Sequence, residues 1–294
     1  MKVFKGIITA DWHLSQTKPR CRIDNDWIET QKKIVHQIFE CAKKFKVDVF
    51  IVGDIFHSNS DTSFECIKIV QDFAKELEKI GLKLYVIFGN HDLMYHSVEN
   101  LDKSAVGILM NSENIYFAGD YSDDIGAGHF NEKIENKRII FKHILCFKSK
   151  DELPPNVEAV TAQELLDEYD NAKYVFLGDN HHSFIYENKG KKVINPGCLI
   201  RRNSNFKDYD CKIVYVNENE NIVEFVPIID NESFVDDSYI LKQEEREERI
   251  ESFVDKLSDT KNVSLDFVDN VQKAMLENNF GFEIKTVVEE LMEV

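Results

Sequence analysis

Three apolar runs near the start of the chain each stop on a polar cluster, and the spacing between them leaves room for one helix each time. Val3 to Thr9 runs into Asp11-Trp12-His13, VDVFIVGD (47–54) into Ile55-Phe56-His57, and LKLYVIFGN (82–90) into His91-Asp92. Between the first two, residues 27–45 place Ile34, Ile38, Phe39 and Ala42 on one helical face; between the second and third, residues 64–80 do the same with Ile67, Val70, Phe73, Ala74 and Leu77. Strands joined by helices of this length need right-handed crossovers, so this half folds as a parallel sheet with helices packed on it. In an open parallel sheet the carboxyl ends of the strands converge on one crevice, where ligands bind. Three polar clusters therefore share one edge.

The second half changes character. Residues 139–146 (IIFKHILC), 173–177, 183–186, 192–195, 212–216 and 222–226 are short apolar runs, with ENKGKK and NENEN as turn-like connections, which suits an antiparallel or mixed sheet. Helix is expected only at about 161–169. Two packed sheets with helices outside follow, a layered α/β sandwich. His143 falls inside one of these runs, and Tyr174-Val175-Phe176-Leu177 stops on a last polar cluster, GDNHH at 178–182.

The ligand types at these ends are carboxylate, imidazole and carboxamide without thiolate, which suits Mn²⁺, Fe or Zn²⁺ better than a soft-metal site. Taken singly, each cluster reads as a strand-end turn in which Asp or Asn caps the next helix. Five together point to a metal centre instead.

Composition narrows the setting. The 294 residues are 43% hydrophobic, enough for one large core or one core with an appendage. Six cysteines are scattered with no CxxC pair, no secretory leader precedes the first apolar run, and no apolar stretch is long enough for a bilayer, so a reducing cytoplasm is expected. The formal net charge of −17 argues against a duplex-binding glove, because nonspecific affinity comes from Lys and Arg neutralising phosphates. Residues 231–294 carry 17 Asp and Glu against 7 Lys and Arg, so most of the excess acid lies in the tail.

DWH, GDIFH, GNHD, a lone strand histidine and a late GDNHH together resemble the five signatures of the calcineurin-like metallophosphoesterases. GDxxH, with NPGCLIRRN soon after the last motif, resembles the SbcD-type DNA double-strand-break repair nucleases, including the short versions encoded by tailed bacteriophages. The likeness covers about residues 1–228. It implies a four-layer α/β/β/α sandwich and a pair of divalent metal ions, Mn²⁺ above Fe or Zn. Carried over by position, Asp54 bridges the two ions, Asp11, His13 and His181 complete one site, and Asn90, His143 and Asp179 the other. His91 protonates or stabilises the leaving oxygen, Asp92 fixes its tautomer, and His57 helps position the phosphate or His91. The implied activity is exonuclease and single-strand endonuclease cleavage of DNA with an SMC-like ATPase of the SbcC type, as a homodimer in the cytoplasm, or the host cytoplasm for a phage protein. A phosphatase or small-molecule phosphodiesterase on the same scaffold, and a scaffold that has lost its metals, are the alternatives.

The last motif departs from the resemblance, since Asp179 stands where the nucleases carry a histidine. Either Asp179 supplies an oxygen ligand, or His182 supplies an imidazole, or the second metal binds weakly. Alternation along an extended segment sends Asp179 and His181 to one side and His182 to the other, which favours the first pair. For the substrate, Lys18, Arg20 and Arg22 in TKPRCR, and Arg201 and Arg202, are the candidate phosphate contacts. No G-x-x-x-x-G-K-[ST] loop occurs, so ATP dependence would come from another chain. The expected domains are 1–230, the nuclease, and 231–294, an acidic helical appendage with amphipathic stretches at 238–257 and 265–276 that serves as a reduced cap or as the ATPase-binding surface.

Overall fold

The computed structural model describes residues 3–230 except 155, 156 and 158, and beyond them the single positions Ser238, Lys242, Arg246, Arg249, Ile250 and Met275. In chain order the elements are β1 (Lys5–Thr9), α1 (Trp27–Phe45), β2 (Val49–Val52), α2 (Phe64–Lys79), β3 (Leu84–Ile87), α3 (Ala105–Met110), β4 (Ile115–Phe117), β5 (Ile125–Ala127) and β6 (Ile139–His143). They continue with β7 (Cys146–Phe147), β8 (Val160–Thr161), α4 (Ala162–Glu168), β9 (Tyr174–Gly178), β10 (Phe184–Asn188), β11 (Lys191–Asn195), β12 (Lys212–Asn217) and β13 (Ile222–Pro227).

The helix boundaries follow from local chemistry. Asp26 caps α1 by accepting from the Glu29 N–H, and the helix stops at Lys46 in the left-handed region. Ser63 caps α2. Its far end closes with Gly81 at φ 76, the Gly81 N–H on the Glu78 carbonyl and the Leu82 N–H on that of Leu77, the paired bonds of a Schellman ending.

One sheet has the order β13-β12-β1-β2-β3-β4 and the other β10-β11-β9-β6-β5. β1 to β4 are parallel, β12 pairs antiparallel with β1, and β13 pairs antiparallel with β12 at the edge. The second sheet is mixed but mostly parallel, since β5, β6, β9 and β11 run together and only β10 is reversed. Alternation sorts the strand residues into layers. Ile7, Val49, Ile51, Leu84 and Val86 pack on α1 and α2, whereas Ile8, Phe50, Val52, Tyr85 and Ile87 meet Phe141, Phe176 and Ile194 of the other sheet. Ile140, Val175, Leu177 and Val193 then pack on α4. This is the four-layer α/β/β/α sandwich, and burial on both faces is why its strands read as continuous apolar runs. Phe4, Phe50, Phe141 and Phe176 knit the sheets together, each worth about 1.5–3 kcal/mol of apolar burial.

The apolar run 139–146 is broken after His143, and Cys146 starts the small parallel pair β7-β8. Contacts gather the chain into two units, Met1–Val235 and Asp236–Val294. The helices expected at 238–257 and 265–276 lie outside the described residues apart from the single positions named above. Among the described residues no helix is long and apolar enough to cross a membrane.

Candidate metal centre

Both sheets deliver polar side chains at the same end. Asp11 and His13 follow β1, Asp54 follows β2, and Asn90 and His91 follow β3; His143 closes β6, and Asp179 and His181 follow β9. The two edges meet where His143 Nδ1 donates to the Val52 carbonyl at 2.9 Å. Asp11, His13, Asp54 and Asp179 have φ of 50, 46, 51 and 86°. Left-handed backbone at non-glycine residues costs about 1–3 kcal/mol each, so the surroundings must hold it. The Asp11 N–H on the Gly53 carbonyl (3.1 Å) and the His13 N–H on that of Asp54 (3.0 Å) lock the first two loops together.

The glycines of the motifs have one shared purpose. A Cβ on Gly53 would lie 2.1 Å from His143 Nδ1, and one on Gly178 would lie 2.6 Å from the same atom. On Gly89 it would lie 2.1 Å from Asp54 Oδ1 and 2.6 Å from His143 Nε2. Three glycines thus wall the slot that admits one imidazole.

Within that frame two clusters share Asp54. His13 Nε2 is 3.0 Å from His181 Nε2 and 3.7 Å from Asp54 Oδ2. His143 Nε2 is 3.1 Å from Asn90 Oδ1, 3.4 Å from Asp54 Oδ1 and 3.8 Å from Asp179 Oδ1. Asp54 presents one oxygen to each cluster. The ligand atoms of Asp11, His13 and His181 lie within 4.8 Å of one another, as do those of Asp11, Asp54 and His143. Asp11 is oriented by the Asp179 N–H, which reaches both its oxygens at 3.0 and 3.2 Å. His182 turns away and stacks on Phe206. Asp179 lies past the end of β9, so a turn rather than the strand pleat aims its side chain.

Burial opposes charge throughout the cluster: it lowers His13 and His181 and raises Asp11 and Asp179. Burial also disfavours a charged His143, but Asp54, Asp11 and Asp179 outweigh it and push the imidazole up to about 10. Burial likewise works against an ionised Asp54, and His143 and His13 overcome it, holding the carboxyl below its usual range. The point where the Asn90, Asp54 and Asp179 oxygens converge therefore demands positive charge. A divalent cation fits it: the donors are imidazole and carboxylate, and the Nδ1 of His143 is held by a carbonyl as metal-binding imidazoles usually are. His13 Nδ1, by contrast, is buried without a hydrogen-bond partner.

Asp92 corrects the expectation placed on it. Its Oδ1 accepts from the Phe56 N–H at 2.9 Å and its Oδ2 from the Gly89 N–H at 3.0 Å, so it ties the second and third loops and does not orient His91. Burial and the charge of Asp54 push it up to about 7. The His91 ring is set by the His57 carbonyl, 2.6 Å from Nδ1. A carbonyl only accepts, so Nδ1 carries the proton. His57, His91 and His13 form a further cluster with ligand atoms within 4.8 Å.

Residues 4–218 match the calcineurin-like phosphoesterase superfamily domain. The chain belongs to this superfamily. Over 91 residues, 30% of the chain, it is 31% identical to exonuclease subunit 1 of Enterobacteria phage T4. Over 102 residues, 33% of the chain, it is 32% identical to the SbcD subunit of the SbcCD nuclease of Escherichia coli K12. These stretches span 25% and 22% of the two relatives. Among solved structures it is similar to the protein TT1561 of Thermus thermophilus, at 9% identity over 78% of the chain and all of that protein, with a TM-score of 0.45.

The cations expected to hold substrate in this phosphoesterase part company. Arg201 is 2% exposed, its backbone N–H and guanidinium on Asp230, and Arg22 is buried between Asp24 and Asp230. Both are internal ties, because a buried guanidinium needs carboxylate partners that leave it no reach to a substrate. Lys18 is exposed and donates to the Asp24 carbonyl, and Arg20 is exposed. Arg202 alone turns toward the histidines: it donates to the His13 carbonyl (2.9 Å) and Ser15 Oγ (2.6 Å), lies over Trp27, and burial lowers it to about 10. Burial, then the charges of Arg202 and His91, lower His57 to about 4. Gln31 escaped the sequence reading. From α1 it accepts from the Ser15 N–H and donates to the Ser15 carbonyl, fixing the loop that carries His13. Its position on the apolar face of a helix, one turn after Trp27, was the available signal.

Proposed function

We propose that this phosphoesterase is the nuclease subunit of a DNA-processing complex, a two-cation phosphodiesterase with exonuclease and single-strand endonuclease action. The observation that carries the phosphodiesterase reading is the Asp54 carboxylate with one oxygen toward each cluster, 3.7 Å from His13 and 3.4 Å from His143. The likeness to two nuclease subunits over about a third of the chain supports DNA as the substrate. In this reading Asp11, His13 and His181 hold one cation, Asn90, His143 and Asp179 the other, and Mn²⁺ is the ion. Bound cations would polarise the phosphoryl group and activate the attacking water.

The protein groups complete the chemistry. His91, with Nδ1–H held by the His57 carbonyl, presents Nε2 to the leaving oxygen; in its doubly protonated form it passes the Nε2 proton to that oxygen and is left neutral, with the ring still held through Nδ1–H. Arg202, held by His13 and Ser15 and facing His57, contacts the phosphate; Lys18 and Arg20 lie further along the strand's path. The sister ATPase, of the SbcC type, supplies nucleotide-driven opening of the DNA and docks on the acidic segment 231–294, and two copies of the chain pair as a homodimer in the cytoplasm.

The decisive assay loads the chain with Mn²⁺ and offers single-stranded DNA, a duplex end and a phosphomonoester, beside His91→Ala. Manganese-dependent DNA cleavage that the variant loses is the expected result. Phosphomonoester turnover without DNA cleavage would overturn it in favour of a phosphatase.

A further inference from the structure

An aromatic ledge stands beside the metal cluster. His182, which is exposed, stacks on Phe206 with ring centroids 4.8 Å apart and planes at 28°. Tyr209 meets both edge-on, at 5.4 Å from Phe206 and 5.6 Å from His182, and Phe206 leans on His181 at 5.9 Å. Neither Phe206 nor Phe147 belongs to any of the three core clusters of the described residues. Both instead line a cavity of about 990 Å³ that Asp179, His181, His182 and Lys148 also line. That volume is at the upper end for a small-ligand site, and it opens directly on two candidate metal ligands.

The ledge is built rather than incidental. The Tyr209 hydroxyl accepts the Ser183 N–H at 3.0 Å, which ties the ledge to the strand end that carries His181. The Asn203 side chain accepts from the Asn205 N–H at 3.1 Å, and buried Arg201 donates to the Lys207 carbonyl, so the turn is held on both sides of Phe206. His182 and Phe206, fixed at the wall of this cleft and outside the core clusters, present π-faces to whatever enters.

We propose that Phe206, stacked on His182, is the platform on which the base of an unpaired nucleotide rests while its phosphate sits at the metal cluster. This deepens the nuclease reading and rests on it. Every base has a π-face, so such a platform holds a strand without reading sequence. It also answers the charge problem: in a chain of net charge −17, phosphate attraction is a poor source of affinity, and stacking supplies one that salt does not screen. A base inside a duplex has both faces covered, so the platform favours single strands and frayed ends.

The test uses the full chain in Ca²⁺ and two probes, a single-stranded oligodeoxynucleotide containing 2-aminopurine and the same strand with an abasic position there. The parent should quench the 2-aminopurine fluorescence and prefer the base-containing strand by about tenfold, as expected for one stacked base. Phe206→Ala and Phe206→Leu should erase both the quenching and the preference, and Phe206→Trp should restore them; leucine keeps apolar volume, so a loss there reports the ring. Preference retained in Phe206→Ala overturns the platform. A parent that cleaves DNA with no base preference sinks this inference alone, whereas one that binds neither strand yet hydrolyses a small phosphodiester sinks the nuclease reading with it.

Discussion

At the scale of single residues, the cluster depends on what is missing from three of them. Gly89 is the sharpest case, because a Cβ there meets Asp54 Oδ1 and His143 Nε2 together, the two atoms that face each other across the shared carboxylate. Gly89→Ala is expected to weaken divalent-cation binding by at least about 10- to 100-fold, the usual scale for disturbing groups that orient ligands, as read by calorimetric titration with Mn²⁺. His143 gives a pH signature. Its folded value of about 10 lies above its ordinary 6.5, so in chelator-treated protein its contribution to stability is fully present below about pH 6.5 and is lost as pH rises through 10. Urea midpoints of the parent and His143→Gln should therefore converge between pH 7 and 10. A constant gap across that window would show that the imidazole is not the titrating group.

At the scale of elements, α1 does more than cover the sheet. Gln31 pairs both backbone groups of Ser15, and Trp27 Nε1 donates to the Ser15 hydroxyl at 3.1 Å, so the helix grips the loop that aims His13. Gln31→Leu would keep the volume and orphan a buried N–H and C=O, costing about 1–3 kcal/mol for each group left unpaired. Chemical denaturation should show the loss, and the affinity of the His13 side of the cluster should fall with it. The same helix shows what a sequence makes legible. Residues 27–45 carry a long 3.6-residue pattern and a capping Asp26, and the helix occupies that range. The strands β1 to β3 were legible because they are apolar on both faces. β4, β5 and α3 were not, since three to six residues are too few for either period to declare itself. The motif clusters were legible as strand ends, but the link from Asp92 to Phe56 and Gly89 was not, because the two loops meet only after the sheet has formed.

At the scale of the molecule, the candidate ligands are divided between the two sheets. Asp11, His13, Asp54 and Asn90 come from the first, and His143, Asp179 and His181 from the second. Between the sheets the described residues form an apolar layer, and the polar cluster at its edge, where His143 already bonds the Val52 carbonyl, is where a cation can clamp one sheet to the other. Any ion that binds the folded cluster and not the unfolded chain stabilises the fold by mass action, about 2.7 kcal/mol at a hundredfold excess over its dissociation constant. For a sandwich of this size that corresponds to a rise in melting temperature of about 5–10 °C per occupied site. Scanning calorimetry with excess Mn²⁺ and with chelator should separate the two transitions by at least this much. Asp54→Asn should close most of the gap, because its carboxylate serves both clusters at once. Asp179→Asn should close only the part due to one of them, since its carboxylate faces His143 at 3.8 Å and its side chain is 27% exposed. Equal losses in the two variants would mean that the clusters act as a single ion's site and that the carboxylate between them bridges nothing.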